Sequence, residues 1–269
     1  MARFLPDKMA APSELPRVSR WRLLGLLKES LEGCNSTIIQ GRAGTGKTML
    51  AADFARRCGR RAAWFKVDAP DAELDVFFRY LCASIAAERP GFGRGMLERV
   101  RASLGAEDVP LLVEYFVYEL LESGEPLLVV IDDLHLVYDA GWVVPFFRRL
   151  LPLLPPEVHV TLIGRSLPPT PLWRMRSKQT LCVLDEPTLA FTPEEARQLF
   201  ASYGLDEARA ESVLRQTRGR AATFDAATRS LGVAEEAARL VAARDGNQDR
   251  GARALRLVKG FPKSSMGLV

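Results

Sequence analysis

The chain has 269 residues, of which 48% are hydrophobic and 26% are charged, as is usual for globular domains. This length suits about two domains, and the composition excludes a largely disordered chain. The 37 basic residues exceed the 33 acidic ones by only four. So small an excess gives weak support to nucleic-acid binding.

The two histidines and four cysteines are not spaced as metal ligands. The cysteines are isolated from one another and form no C-x-x-C pair: Cys34, Cys58, Cys82 and Cys182. Zinc sites and disulfide frameworks are therefore not expected, which suits a reducing compartment. The first residues lack the apolar core of a signal peptide, and the apolar run from Leu127 stops at Asp132, too short for a membrane span. These features predict a cytoplasmic protein without membrane contact.

The first half of the chain predicts alternating helices and strands. After a loose lead-in of residues 1–15, Trp21, Leu24, Leu27 and Leu31 recur at helical spacing. The β-branched segment STIIQ predicts a strand, GRAGTGKT a loop and MLAADFARRC a helix, and RAAWFKVD predicts a second strand. Further helices are predicted from about Asp71 to Glu88, around Leu97, and from Pro110 to Glu122.

The next segments predict the rest of a parallel sheet. PLLVVIDD is apolar on both faces, which is typical of a central strand covered by helices. WVVPFFRRLLPLL predicts a helix interrupted or kinked at Pro145, VHVTLIG another buried strand, and Leu181–Leu184 a short one. The alternation predicts a three-layer α/β domain over residues 16–190.

The remaining residues favour helices. Thr192 has the properties of an N-cap, with Pro193 in the first turn and Glu195 completing a capping box. Helices near 208–216, 221–231 and 234–243 predict a small all-helical domain over residues 191–245. Residues 246–269 are basic and without periodicity, so we expect a solvated tail.

The loop GRAGTGKT matches the P-loop pattern G-x-x-x-x-G-K-[ST] in full, between a predicted strand and a predicted helix. Its glycines allow backbone N–H groups to face a phosphate, Lys47 is placed to reach the β- and γ-oxygens, and Thr48 to bind Mg²⁺. The sequence predicts binding of Mg·ATP, with nucleotide contacts from Gly41, Arg42, Ala43, Gly44, Thr45, Gly46, Lys47, Thr48 and Met49.

The acids that end LLVVIDD form a Walker-B pattern. Asp132 is expected to hold the magnesium ion. Asp133 is expected to orient or activate the attacking water, and the alternative is that it only caps the following turn. Arg165, after VHVTLIG, reaches the same carboxyl edge of the sheet and is expected to sense the γ-phosphate. The alternative for Arg165 is a surface ion pair. His135, in DDLH, is expected to be structural or to support a site residue, and the alternative is a base or a metal ligand.

With these motifs placed, the chain resembles the nucleotide-binding module of STAND-class signal-transduction ATPases, in particular of the large ATP-binding LuxR-type, maltose-activator-like regulators. The resemblance covers about residues 14–231 and rests on ELPRVSRWRLL, GRAGTGKT, WFKVDAPDAELDVFFRYL, LLVVIDDLHLV, TLIGRSLPPTPLWRMR and LAFTPEEARQLF. It implies a P-loop NTPase fold of the ASCE or AAA-like type, with Pro16, Arg17 and Val18 lining the adenine pocket.

One departure concerns the G-x-P signature that relatives use to contact the nucleotide from the helical domain. Here Gly219, Arg220 and Ala221 stand at that place without a proline, so closure of the helical domain on the nucleotide is less certain. Relatives also continue into inducer-sensing repeats and a DNA-binding helix-turn-helix. Because this chain ends at Val269, we expect neither activity from it.

The resemblance implies a regulatory switch between ATP and ADP states, with slow Mg-dependent hydrolysis. It also implies self-association in the ATP state or control of a protein partner, without sequence-specific DNA binding by this chain. The alternative function is an AAA-like ATPase that assists DNA transactions such as loading or transposition. A scaffold without nucleotide chemistry is disfavoured because Lys47, Thr48, Asp132 and Asp133 all remain.

Overall fold

The computed structural model describes residues 4–93, 96, 108–122 and 124–236. The helix predicted around Leu97, most of the helix predicted over 234–243 and the tail of residues 246–269 lie outside the described residues. Within the described residues, no helix combines the length and apolar character needed to cross a membrane.

Five parallel strands form one sheet. Their bounds are β1 Ser36–Gln40, β2 Arg61–Lys66, β3 Leu127–Asp132, β4 Val158–Gly164 and β5 Leu181–Leu184. The strand order is β2-β3-β4-β1-β5, so β4 lies between the strand before the P-loop and the strand that ends in the acids. This order is that of an ASCE-type P-loop NTPase, and it confirms the predicted fold class.

Helices cover both faces of the sheet. In chain order they are α1 Trp21–Gly33, α2 Lys47–Arg57, α3 Leu74–Glu88, α4 Val109–Glu122, α5 Val143–Leu153 and α6 Trp173–Ser177. Because successive strand residues point to opposite faces, Ile38 packs in the core with α3, α4 and α5, whereas Ile39 packs with α1 and α2. By the same alternation, Phe65 packs in the core with Ile38, and Trp64 packs in the core with Ile39.

The first and fifth helices differ from their predictions in detail. Trp21 is 64% exposed, with the Arg57 guanidinium 4.9 Å above its ring, and Leu23 takes the buried position instead. Pro145 does not interrupt α5, because it lies in the first turn, where the backbone N–H groups have no partner within the helix.

The lead-in also differs from the loose segment that the sequence suggested. Lys8 is 8% exposed, and its Nζ donates at 2.7 Å to the fully buried Asp71 and at 2.8 Å to Asp68. Asp71 closes a 3₁₀ turn, Ala69–Ala72, so α3 begins three residues later than predicted, at Leu74. The buried ion pair therefore fixes this part of the lead-in to the α/β core.

The helical region consists of α7 Pro193–Ser202, α8 Ala210–Thr217 and a helix α9 over residues 221–236. Thr192 and Glu195 form the predicted capping box. The predicted interruption between residues 231 and 234 is wrong, because α9 runs through it without a break. Phe200 and Phe224, both fully buried, centre a separate small core.

Candidate nucleotide-binding site

The glycine-rich loop of residues 41–48, here called the P-loop, connects the carboxyl end of β1 to the first turn of α2. Gly44 and Gly46 have φ angles of +80° and +86°, which residues with a Cβ rarely adopt. Gly46 is the N-cap of α2. The N–H groups of this first turn and the positive end of the helix dipole together suit a phosphate group.

The Lys47 ammonium lies within the P-loop. Its Nζ donates to the carbonyl oxygens of Gly41 at 2.6 Å and Arg42 at 2.9 Å, and the residue is only 8% exposed. Burial lowers the pKa of Lys47, while the charges of Asp132 and Asp133 act in the opposite direction. The positive charge therefore lies between the loop and the two acids, where a P-loop lysine meets phosphate oxygens.

Asp132 and Thr48 bring two oxygen donors together. Asp132 ends β3 and is 1% exposed, and the Thr48 hydroxyl donates to its Oδ1 at 3.2 Å. Burial, followed by the charge of Asp133, raises the pKa of Asp132 to about 6. Carboxylate and hydroxyl oxygens are hard donors, and Mg²⁺ needs few of them because water and phosphate complete its coordination. These two residues fit the ion.

Asp133 occupies a left-handed turn with φ +56° directly after β3. Its N–H donates to Asp132 Oδ1 at 2.9 Å. Its side chain makes no capping hydrogen bond to the 3₁₀ helix Leu134–Val137, so the geometry gives no support to the capping alternative. Instead, Asp133 lines the cavity that the P-loop residues Lys47 and Thr48 also line.

Arg165 follows the last residue of β4 and lines the same cavity. Its charge is near enough to that of Lys47 to contribute to lowering the pKa of the lysine. The parallel sheet thus brings Lys47, Asp132, Asp133 and Arg165 to one edge, as the sequence predicted from the ends of three different strands.

The cavity has a volume of about 1050 Å³ and lies between the α/β part and the helical part of the chain. The P-loop and Asp133 line it, together with charged side chains such as Arg17 and Asp225. Apolar and aromatic side chains from the lead-in and the helical part also line it: Leu15, Pro16, Val18, Leu199 and Tyr203. A phosphate-binding loop and apolar side chains in one cavity suit a molecule that carries both phosphates and a base.

Residues 16–18, which the resemblance assigned to the adenine pocket, lie in the cavity wall. Arg17 also links this segment to the helical part: its guanidinium lies 4.1 Å from the centre of the Tyr203 ring, and its Nη1 donates to the Ser202 carbonyl at 2.9 Å. The segment therefore lines the cavity and contacts the helical part.

The helical part contacts the P-loop directly despite the missing proline. Arg220 donates to the Ala43 carbonyl, at 3.1 Å from its Nε, and the Ala222 N–H donates to the Gly44 carbonyl at 2.9 Å. A Cβ on Gly44 would lie 3.1 Å from the Ala222 methyl group. The first turn of α9 thus packs on the loop through backbone and arginine contacts, although the proline of the G-x-P signature is missing.

Comparison with known families decides the classification. The AAA ATPase domain family matches residues 20–163, which is more than half of the chain. The chain belongs to the AAA ATPase domain family. Nucleotide binding follows from that membership.

Curated relatives of this AAA ATPase domain are HTH-type transcriptional regulators called MalT. The protein from Serratia proteamaculans is 31% identical over 202 residues, which cover 73% of this chain and 21% of the regulator. The protein from Klebsiella pneumoniae is 30% identical over 201 residues, with the same coverage of both chains. The chain thus spans about a fifth of the length of these regulators, and the predicted resemblance to the LuxR-type family is confirmed.

Solved structures agree on the fold. A STAND protein with a tetratricopeptide repeat sensor from Pyrococcus horikoshii has a TM-score of 0.53 at 17% identity, covering 80% of this chain and 30% of its own. The Drosophila origin recognition complex bound to DNA has a TM-score of 0.50 at 14% identity, covering 84% of this chain and 59% of that chain. At such identities the likeness concerns the fold alone.

The sequence did not reveal how this AAA ATPase domain is joined to its helical part. Arg20, 7% exposed, donates to the carbonyl oxygens of Leu189 and Ala190 at 2.8 and 2.9 Å and to Glu195 at 2.9 Å. Its guanidinium also lies 4.4 Å from the centre of the Phe191 ring. Arg20 lies in the motif ELPRVSRWRLL and Glu195 in the capping box, but no local pattern relates residues so far apart in sequence.

A second unpredicted contact involves the P-loop itself. The Arg42 N–H donates to Glu186 Oε2 at 2.9 Å, and its guanidinium donates to Oε1 of the same carboxylate at 2.8 Å. Glu186 also approaches the place where a Cβ on Gly41 would lie. The segment after β5 therefore holds the start of the P-loop.

Proposed function

We propose that the chain is the nucleotide-binding module of a regulatory ATP switch. ATP would favour one arrangement of the α/β and helical parts and ADP another. A ligand drives such a change only through different affinities for the two arrangements, so it must contact the parts that move.

One observation carries this proposal: the cavity is built by both parts of the chain. The start of α9 and the preceding Arg220 contact the P-loop, through Arg220 and Ala222, and Tyr203 of the helical part lines the cavity. A nucleotide in this cavity would therefore contact both parts at once. Loss of the γ-phosphate would change interactions close to the α9 contact.

The chemistry proposed for the site is slow hydrolysis of ATP. Lys47 would neutralise charge on the β- and γ-phosphates, and Thr48 and Asp132 would hold Mg²⁺, which supplies further charge neutralisation. Water oxygen attacks the γ-phosphorus, the bond from that phosphorus to the β–γ bridging oxygen breaks, and Asp133 receives the proton of the water. Arg165 is placed to stabilise charge on the γ-phosphate.

The nucleotide that the purified protein carries tests the switch. The chain is denatured, the released nucleotide is identified by chromatography, and the occupancy is compared with that of Lys47→Ala. Tightly held ADP in the parent and little in the variant support the switch. A parent without nucleotide that turns over ATP steadily, faster with DNA, supports the alternative of an ATPase that assists DNA transactions.

The similarity to MalT proteins supports a proposal about the cellular role of the switch. Since MalT proteins are transcriptional regulators, the switch proposed here serves transcriptional signalling in the cytoplasm, by controlling self-association or binding of a protein partner. Size-exclusion chromatography with light scattering, in ADP and in a non-hydrolysable ATP analogue, tests this part. The same mass in both nucleotides and without any nucleotide argues against self-association.

A further inference from the structure

His135 has an imidazole whose two nitrogen atoms are buried and form no hydrogen bond with any described residue. Its side chain is 13% exposed. The other histidine, His159, uses both nitrogens, on the Thr37 hydroxyl at 2.8 Å and the Cys34 carbonyl at 3.0 Å. A buried polar group without a partner requires an explanation, and a role in the neighbouring site is one.

The carboxylate of Asp133 lies close to the imidazole of His135. His135 Nδ1 lies 4.0 Å from Asp133 Oδ1, just beyond hydrogen-bond distance. The left-handed backbone at Asp133 turns the chain back, which brings these two side chains together. Because the Asp133 side chain caps nothing, a small rotation can close the gap without breaking a capping bond.

We propose that His135 is the positioning residue for Asp133: its Nδ1–H donates to one carboxylate oxygen and orients the other toward the attacking water. This inference rests on the proposed ATP hydrolysis. An oriented carboxylate receives the proton in a fixed direction, whereas a freely rotating one must first be ordered. Nδ1 is the nitrogen that approaches the carboxylate, at 4.0 Å, which assigns the contact to Nδ1.

The charges around His135 are compatible with this role. Burial lowers the pKa of His135, the charge of Asp133 acts in the opposite direction, and Arg165 and Lys47 lower it further. The imidazole is thus neutral near pH 7. A neutral ring with its proton on Nδ1 is still a donor, so the contact does not depend on a change of charge.

Two variants of matched shape test the role. His135→Asn keeps an N–H near the Nδ1 position, and His135→Leu has nearly the same shape without a donor. We expect His135→Leu to lower kcat about tenfold with an unchanged KM for ATP, and His135→Asn to stay within about threefold of the parent. Leu136→Ala, at an exposed position of the same 3₁₀ helix, is the control for local disturbance and keeps parental turnover.

If His135→Leu does not fold, His135→Gln replaces it, because its amide nitrogen lies near the Nε2 position rather than the Nδ1 position. Turnover in His135→Gln well below that in His135→Asn supports the proposal. Equal turnover in His135→Asn and in the variant that lacks an Nδ1 donor, His135→Leu or His135→Gln, overturns the proposal. Parental kcat in the variant that lacks the donor also overturns it.

A double variant with Asp133→Asn tests the role of His135 separately from the role of Asp133 in hydrolysis. If His135 acts through Asp133, adding His135→Leu to Asp133→Asn causes no further loss of kcat. A full tenfold further loss overturns the positioning role and leaves Asp133 in place. Parental turnover in Asp133→Asn alone overturns the proposed role of Asp133 and, with it, that of His135.

Discussion

Lys47 is the residue on which nucleotide binding should depend most directly. Replacement by alanine removes an ammonium that lies between the P-loop and the acids. Since charge-assisted hydrogen bonds contribute about 1.5 to 3 kcal/mol each, we expect ATP affinity to fall at least tenfold, measured by isothermal titration calorimetry. Lys28→Ala, which changes an exposed lysine of α1, is the control and binds as the parent does. Parental affinity in folded Lys47→Ala would falsify the P-loop assignment.

Replacement of Asp133 tests ATP hydrolysis separately from ATP binding. Asp133→Asn keeps the size of the side chain but removes the carboxylate that receives the proton. Hydrolysis should fall by about 10²-fold or more, while Mg·ATP still binds, because general bases contribute at least about this factor. Phosphate release and calorimetry measure the two quantities on the same sample. The control is Asp139→Asn at a nearby exposed position; equal rates in all three proteins would return Asp133 to a structural role.

His159 on β4 makes the stability of the sheet sensitive to acid. Burial lowers its pKa to about 4, below the ordinary value of 6.5. The unfolded chain therefore binds this proton more readily than the folded chain. The contribution of His159 to stability is complete above pH 6.5 and is lost as the pH falls toward 4, by up to about 3 kcal/mol.

Urea unfolding of the parent and His159→Gln at several pH values between 7.5 and 4 measures this effect. The variant is less stable at neutral pH because the contacts with Thr37 and Cys34 change. Its free energy of unfolding should nevertheless fall less steeply below pH 6.5. Parallel curves for the two proteins would show that His159 does not cause the acid sensitivity.

Most strands and helices were predictable because their signals are local. The apolar run of β3, the glycines of the P-loop and the capping box at Thr192 each lie within one short segment. Pro145 was misinterpreted since a proline breaks a helix only beyond its first turn, and the first residue of a helix is poorly marked in sequence. The exposed Trp21 shows that an apolar residue at helical spacing can still face solvent.

The candidate site was predictable where the fold class itself delivers residues to one edge of the sheet. Lys47 lies at the end of the loop that follows β1, Asp132 ends β3, and Arg165 follows β4. The contacts of Arg20 with Glu195 and of Arg42 with Glu186 were not predictable, because each joins residues more than 140 positions apart. Such pairs depend on how the helical part and the segment after β5 pack, which single-sequence patterns do not encode.

The buried Arg20–Glu195 pair should hold the two parts of the molecule together. Arg20→Ala leaves the Glu195 carboxylate, 7% exposed, without its closest cation and leaves the carbonyl oxygens of Leu189 and Ala190 without a donor. Breaking a buried pair in this way costs about 3 to 5 kcal/mol. Arg22→Ala is the matched control, because Arg22 is more exposed and its Nε lies 3.4 Å from the same carboxylate.

Urea unfolding of both variants measures the difference. We expect a large loss of stability in Arg20→Ala and about 1 kcal/mol or less in Arg22→Ala. The double variant Arg20→Met with Glu195→Leu should recover part of the loss, since it leaves no buried charge without a partner. Equal losses in the two single variants would show that Arg20 is not the main link.

The charge distribution of the molecule predicts how it behaves toward DNA. Within the described part of the helical region, several arginines are paired with acids, which reduces the positive charge that they offer to phosphates: Arg197 with Glu194 and Glu211, Arg209 with Glu235, and Arg229 with Asp225. Sequence readout also needs a recognition helix with free polar side chains on one face. We therefore propose that this chain does not bind a specific DNA site.

The sequence of the tail adds a separate source of charge, outside the described residues: Arg250, Arg253, Arg256, Lys259 and Lys263. Contacts of these basic side chains with DNA phosphates depend on charge alone. We therefore expect weak, salt-sensitive binding to DNA, with Kd roughly 10⁻⁴ to 10⁻⁶ M near physiological salt. Mobility-shift selection from a randomised duplex pool at about 0.15 M salt, with and without ATP, measures it. A chain ending at residue 245 is the control and should lose this binding. Enrichment of one sequence would contradict the prediction, because phosphate contacts alone carry no sequence information.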